Sequence, residues 1–178
     1  GSMAAVGDRV VFTRRMNGTP QLWASDGTAA GTGILHSEPY GYMSAIAVTG
    51  STAHVAMQCN CFNDYIVTDG TVAGTQGRSL PGDLAGRADA MFSVGSAAVF
   101  SCQSNATGTE LCIADSRGET IRFLADIYPG KFDSFTRYLG QTDDAAYIAA
   151  DDGYHGRELW RLSLPDAIFA NGFQGGSP

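Results

Sequence analysis

Several absences narrow the reading of this sequence before any motif is found. No apolar run approaches the roughly 20 residues that cross a bilayer as a helix, so no membrane span of that kind is expected. Charged residues make up only 16%, and Lys plus Arg number 11 against 18 acidic residues, a net charge of −7. That field repels a phosphate backbone and no basic stripe offsets it, which argues against nucleic acid as a partner. Gly-x-Ser-x-Gly, a phosphate-binding loop and His-Glu-x-x-His are all missing, and His36, His54 and His155 stand singly, as packing or surface residues do. A hydrophobic period of 3.6 residues is missing too, which removes helical solenoids. No stretch of these residues reads as a signal peptide, and the opening Gly-Ser-Met reads as an expression scar over residues 1–3.

Cysteine is sparse but even: Cys59, Cys61, Cys102 and Cys112 allow three complete pairings. An even count in a Lys-poor, turn-rich chain points to an oxidising compartment. Cys59-Asn60-Cys61 lacks the two-residue spacer of common structural zinc sites, and no His pair follows at finger spacing.

Glycine, in contrast, is abundant at 23 of 178 residues, and hydrophobic residues reach 44%, the balance of many short strands joined by tight turns. The chain also repeats itself. QLWASDGTAAGT (Gln21 to Thr32) returns as DYIVTDGTVAGT (Asp64 to Thr75), and Asp26, Asp69 and Asp115 lie 43 and 46 residues apart. Glu158, in ELWRLSL, lies 48 residues after Glu110. Such a period, roughly 40 to 50 residues, is that of propeller blades.

Four strand-like segments, A to D, can be marked in each copy. Segment A is SMAAVG, SAIAVTG, DAMFSVG and SFTRYLG, and segment B starts at Arg9, Ala53, Ala97 and Ala145. Segment C holds Leu22-Trp23, Tyr65-Ile66, Leu111-Cys112 and Leu159-Trp160. Segment D is GTGILH, GTQGRSL and ETIRFLADI, with the fourth missing or disguised in the tail, about fifteen strands in all. The expected fold is therefore all-β: a β-propeller of about four four-stranded blades, or half of a larger propeller closed by pairing with a second copy. Residues 4–164 form the domain, with repeats at about 7–49, 50–94, 95–139 and 140–164, and 165–178 form a tail. Small residues in A suit the crowded axis. Phe12, Val55, Phe100 and Ile148 are expected between blades, with Leu22, Tyr65, Leu111 and Leu159 in the same repeated core. One way to close the ring is for Ser2 to Gly7 to complete the last sheet.

The repeated Asp-Gly-Thr is explained locally. Asp26 can accept from its own downstream backbone, and Gly27 tolerates the positive φ of a tight reversal. In the third copy, Asp115-Ser116-Arg117-Gly118 delays the glycine, so that turn should differ in shape.

The pattern Gln/Glu-Leu-Trp-x-x-Asp-Gly-Thr-x-x-Gly-Thr resembles the ELWxxDGT, or hyalin-like, repeat family of extracellular bacterial proteins. Gln21 to Thr32 match nearly in full, Asp64 to Thr75 keep the DGT and AGT halves, Glu110 to Asp126 keep Glu-Leu with the following Asp-Ile-x-Pro-Gly, and Glu158 to Trp160 keep only the start. The tail DAIFANGF, Asp166 to Phe173, also looks like short C-terminal sequences on secreted proteins of some Gram-negative bacteria. The resemblance implies a secreted or cell-surface bacterial protein and brings no catalytic residues with it.

In propellers, ligands gather where D-to-A and B-to-C loops converge. Here those loops offer Tyr40, Tyr42, Asp83, Arg87, Lys131, Phe132, Asp133 and His155 as ligand-binding candidates. Asp83 and Asp133 are the one carboxylate pair that suggests a glycosidase. Asp151 and Asp152 are the calcium candidates, although calcium takes six to eight oxygens and such a turn offers one or two carboxylates; otherwise no cofactor is expected. Cys102, ending segment B, and Cys112, in segment C of the same copy, are the favoured disulfide. The leading functional reading is a noncatalytic extracellular binding or adhesion module presenting its loop face to a glycan or protein. The alternatives are a carbohydrate-active hydrolase or lyase with carboxylates at the axis, and a purely structural segment of a larger surface protein.

Overall fold

The computed structural model describes residues 1–58, 65–142, 145–163 and 168–171, without the side chains of residues 44, 88, 89 and 168–171. Alternating side chains and glycine-rich reversals give sixteen strands among these residues and no helix. They form four antiparallel sheets of four strands each, and every sheet is consecutive in the chain. The first holds β1 (Met3–Val6), β2 (Arg9–Met16), β3 (Thr19–Ser25) and β4 (Gly33–Ser37). The second holds β5 (Tyr42–Thr49), β6 (Thr52–Gln58), β7 (Tyr65–Thr68) and β8 (Gln76–Arg78). The third is β9 (Ala85–Val94), β10 (Ala97–Ser104), β11 (Gly108–Ala114) and β12 (Ile121–Ala125). The fourth is β13 (Arg137–Gln141), β14 (Ala145–Asp151), β15 (Arg157–Ser163) and β16 (Ile168–Asn171).

Three details differ from the sequence reading. The fourth D strand comes from the tail, where β16 pairs with β15 (Leu162 opposite Phe169), so the last sheet runs beyond residue 164. The strand at the N-terminus does not complete that last sheet; β1 pairs with β2, Met3 opposite Phe12, and Ser2 and Thr13 exchange hydrogen bonds of 2.9 Å. Sheets are also offset from sequence repeats by one strand, because β5, which closes the repeat 7–49, is the first strand of the second sheet. The reason is that pairing follows the short A-to-B hairpin, with Gly7 and Gly50 both at positive φ, rather than the position of the Asp-Gly-Thr signature.

Each sheet has two faces, and cross-strand partners share one. One face carries Phe12 opposite Trp23, Val55 opposite Ile66, Phe100 opposite Cys112, and Ile148 opposite Trp160. The other carries Val11 with Leu22, Ala56 with Tyr65, and Val99 with Leu111. The second face of each sheet packs on the first face of the next. Val11 and Leu22 lie against Val55 and Ile66, Tyr65 and Val67 against Phe100 and Cys112, and Leu111 and Ile113 against Ile148. Among the described residues no such cluster joins the first sheet to the fourth. Phe12 is therefore only half-buried and Leu159 is 46% exposed. Each of these repeated positions is core in three sheets and loses that status in one terminal sheet, the Phe12 position in the first and the Leu159 position in the fourth, because core status here comes from a neighbouring sheet and not from the residue.

Between the second and third sheets lies a buried polar chain. His54 Nδ1 is 2.8 Å from Tyr65 Oη, and its Nε2 is 2.6 Å from Thr49 Oγ1, which donates across the interface to Ser116 O. Desolvation holds His54 neutral, its pKa down at about 4. Gly118, at positive φ, fits here because a side chain would run into Val67. The Cys102–Cys112 disulfide joins β10 to β11 beside this interface. Cys59 and Cys61 lie outside the described residues.

The two Asp-Gly-Thr turns are built alike. Asp26 Oδ1 accepts from the Thr28 amide and hydroxyl at 2.9 and 2.7 Å, and Asp69 Oδ1 from those of Thr71 at 2.8 and 2.7 Å. The second glycine is required because a Cβ on Gly31 or Gly74 would occupy the carboxylate's place. In the third sheet Asp115 instead accepts from the amides of Arg117, Glu119 and Thr120, the different shape expected of the delayed glycine. We predict that Asp69→Ala costs about 1 kcal/mol, and that Gly74→Ala costs a similar amount in the native background. Gly74→Ala should cost much less in Asp69→Ala, where the carboxylate no longer obstructs the new methyl. Urea denaturation of the four proteins checks this, and strictly additive losses would disprove the shared network.

Candidate functional site

The D-to-A and B-to-C loops lie at one end of the sheets. There the cleft between the third and fourth sheets, about 550 Å³, is lined by Arg87 from β9, Arg137 from β13 and Arg157 from β15, with Asp133, Phe135 and Glu110. Three guanidinium-bearing chains in one cleft of a chain with net charge −7 is a local inversion of sign. It arises because Arg137 and Arg157 open their strands and Arg87 is the third residue of its own, close to where the loops end.

The cleft walls are held by backbone bonds between the two sheets. Asp133 Oδ1 accepts the Thr109 amide at 2.6 Å, and Ser134 accepts from Asp151 N and donates its own amide to Thr109 O. Gly108 lies so close to the Phe132 carbonyl that no side chain fits there. Glu110, 1% exposed, receives the amides of Ile127 at 3.0 Å and Tyr128 at 3.3 Å, which fixes the D-to-A loop. Desolvation outweighs these bonds and raises its pKa to about 7. Phe135 takes a φ of +48°, a conformation that a bulky side chain rarely adopts, and its ring is 61% exposed beside the cleft. Its carbonyl accepts from Arg157 Nη2 at 3.5 Å.

Of the residues read from the sequence, Arg87 and Asp133 line this cleft. Tyr40, Tyr42 and Arg87 line a shallower groove between the second and third sheets, where the Arg15 guanidinium lies 4.8 Å from the Tyr42 ring centre. Lys131, Phe132 and Asp133 line a third, next to the first cleft. Asp83 accepts the Asn105 amide at 3.1 Å, while Asp133 lines two clefts whose walls do not include Asp83. His155 stands apart, with Nδ1 2.8 Å from Asp152 Oδ2. That contact raises the histidine's pKa. Asp152 is lowered to about 2, first by the His155 amide and then by its ring. Asp151 accepts the Gly153 amide and Asp152 Oδ1 those of Tyr154 and His155, so these two calcium candidates spend oxygens on their own turn.

The sequence reading missed Arg137, Arg157, Phe135 and Glu110. An available signal was Arg at the first position of both an A and a C strand in one repeat, next to the loop face. A larger cleft, about 640 Å³, lies at the opposite end near Gly95, Asp115 and Arg122, but it gathers no comparable set of side chains.

No protein-family model matches the sequence, and no curated protein sequence matches it. Solved structures do. A puromycin hydrolase superposes with a TM-score of 0.64 at 12% identity over 95% of this chain and 28% of its own. An oligogalacturonate lyase in complex with manganese gives 0.64 at 11% identity over 96% of this chain and 52% of its own. TolB from Acinetobacter baumannii gives 0.55 at 14% identity over 94% and 42%. The chain is a β-propeller. It spans between about a quarter and a half of the length of these propeller-containing proteins, and at such identity the likeness concerns the fold alone.

Proposed function

We propose that this propeller is a noncatalytic extracellular binding module whose cleft between the third and fourth blades holds an acidic glycan. The observation that carries the reading is the convergence of Arg87, Arg137 and Arg157 beside the exposed ring of Phe135. A guanidinium recognises a carboxylate through paired, charge-assisted hydrogen bonds, and an aromatic ring offers an apolar face to a sugar. At about 550 Å³ the cleft falls within the usual range of small-ligand sites, roughly 300–1,000 Å³. The exposed Tyr40, Tyr42 and Phe132 on the same end extend that surface. The Cys102–Cys112 disulfide supports an oxidising, secreted or cell-surface setting.

Calorimetric titration with oligogalacturonate and with a neutral galactose oligomer tests the reading. The acidic oligomer should bind and the neutral one should not. Arg137→Ala with Arg157→Ala should weaken binding at least about tenfold, since a hydrogen bond to a charged group contributes roughly 1.5–3 kcal/mol. No binding of the acidic oligomer, or binding untouched in the double variant, ends this proposal. The enzymatic reading draws on Glu110, an acid with a pKa of about 7 in the same cleft. Its oxygens are already committed to the Ile127 and Tyr128 amides, which favours a structural role. Release of shortened or unsaturated oligomers during the same titration would restore it, and silence in both assays would leave the purely structural segment.

A further inference from the structure

We infer that the protein assembles with a second copy of itself into an eight-bladed ring, the fourth blade of each protomer packing on the first blade of the other. The argument is independent of the ligand. Inside the chain the same two faces meet three times, always in the same sense: the Val11/Leu22 face of one blade receives the Phe12/Trp23 face of the next. One copy of each face is left over. On the first blade it presents Phe12 and Trp23, stacked with ring centres 6.3 Å apart, together with Met3 at 73% exposure, Val10 and Ile34. On the fourth, Tyr147, Ala149 and Leu159 stand on the sheet positions that Val11, Thr13 and Leu22 occupy on the first, and the same register places Arg161 opposite Tyr147, Arg157 opposite Asp151 and Arg137 opposite Ala149.

The two faces are thus continuous with an interface that the chain already builds three times; Leu159 matches it in type, whereas Arg161 stands where Ala24, Val67 and Ile113 do. Leu159 stands where Leu22 and Leu111 receive a neighbour, and Trp23 where Ile66 and Cys112 are received. The pairing is between different faces, so a single contact would propagate head to tail. Two copies close it with a two-fold axis and leave no open face. They supply eight blades, within the usual range of about four to eight. The Arg14 guanidinium, 5.7 Å from the Trp23 ring centre, shields that ring in the single chain and yields it to the partner in the ring.

Light scattering coupled to gel filtration reads the outcome. The native protein should elute at twice its chain mass of 18.7 kDa. Trp23→Glu and Leu159→Glu should each return a folded monomer, with far-ultraviolet circular dichroism unchanged. Val72→Glu, at an exposed apolar position on a C-to-D turn and on neither face, should leave the dimer intact. Mixing the Trp23→Glu and Leu159→Glu monomers should recover a weaker dimer, because each retains the face the other needs. A native protein that stays at one chain mass across a wide concentration range overturns the proposal, and so does a dimer that both face variants leave intact.

Discussion

Replacing Phe100 with alanine is expected to cost about 3–5 kcal/mol, whereas the same replacement at Phe12 costs under about 1 kcal/mol. The two residues occupy the same repeat position, each opposite the C-strand residue that aligns with Trp23. Phe100 is fully buried, with its ring 4.7 Å from that of Tyr65 on the preceding blade. Truncating it loses the transfer energy and leaves a cavity that two rigid sheets cannot collapse into. Phe12 has Trp23 on one side and solvent on the other. Urea denaturation in the Leu159→Glu background separates these costs from assembly, since that variant removes the partner face and leaves Phe12 untouched. Losses of equal size would mean that the outer face of the first blade is covered within a single chain.

The second large effect is a pair of opposite pH dependences. His54 has a pKa of about 4 in the folded protein against 6.5 unfolded. Its contribution is therefore present in full above pH 6.5 and is lost as pH falls toward 4, by about 3 kcal/mol at 1.36 kcal/mol per unit. Glu110 runs the other way: its pKa is about 7 folded against 4.5 unfolded. The folded state holds this proton longer, so stability is highest below pH 4.5 and falls by a similar ~3 kcal/mol as pH rises through 7. Between pH 4.5 and 6.5 the two slopes nearly cancel. His54→Phe should uncover a stability that declines with rising pH, and Glu110→Gln one that declines with falling pH. Denaturation midpoints across that range check both. Two variants that keep the native pH profile would show that neither group titrates as its burial demands.

The sequence by itself determined the blade. Alternation set each strand, and the Asp-Gly-Thr turns closed on themselves through Asp26 and Asp69, because every bond in them spans eight residues or fewer. The pairing of Cys102 with Cys112 was legible for the same reason, since both lie in one hairpin. Of the cleft, Arg87 and Asp133 were legible from loop position alone, but Arg137, Arg157, Phe135 and Glu110 were not. Their meeting depends on how two separate sheets stack, which no local pattern encodes. The same holds for Phe12 against Phe100 and Leu159 against Leu22: identical positions in the repeat, core or surface according to whether another sheet stands beside them. Strand formation is local chemistry carried by the chain, while burial belongs to neighbours that only the tertiary structure supplies.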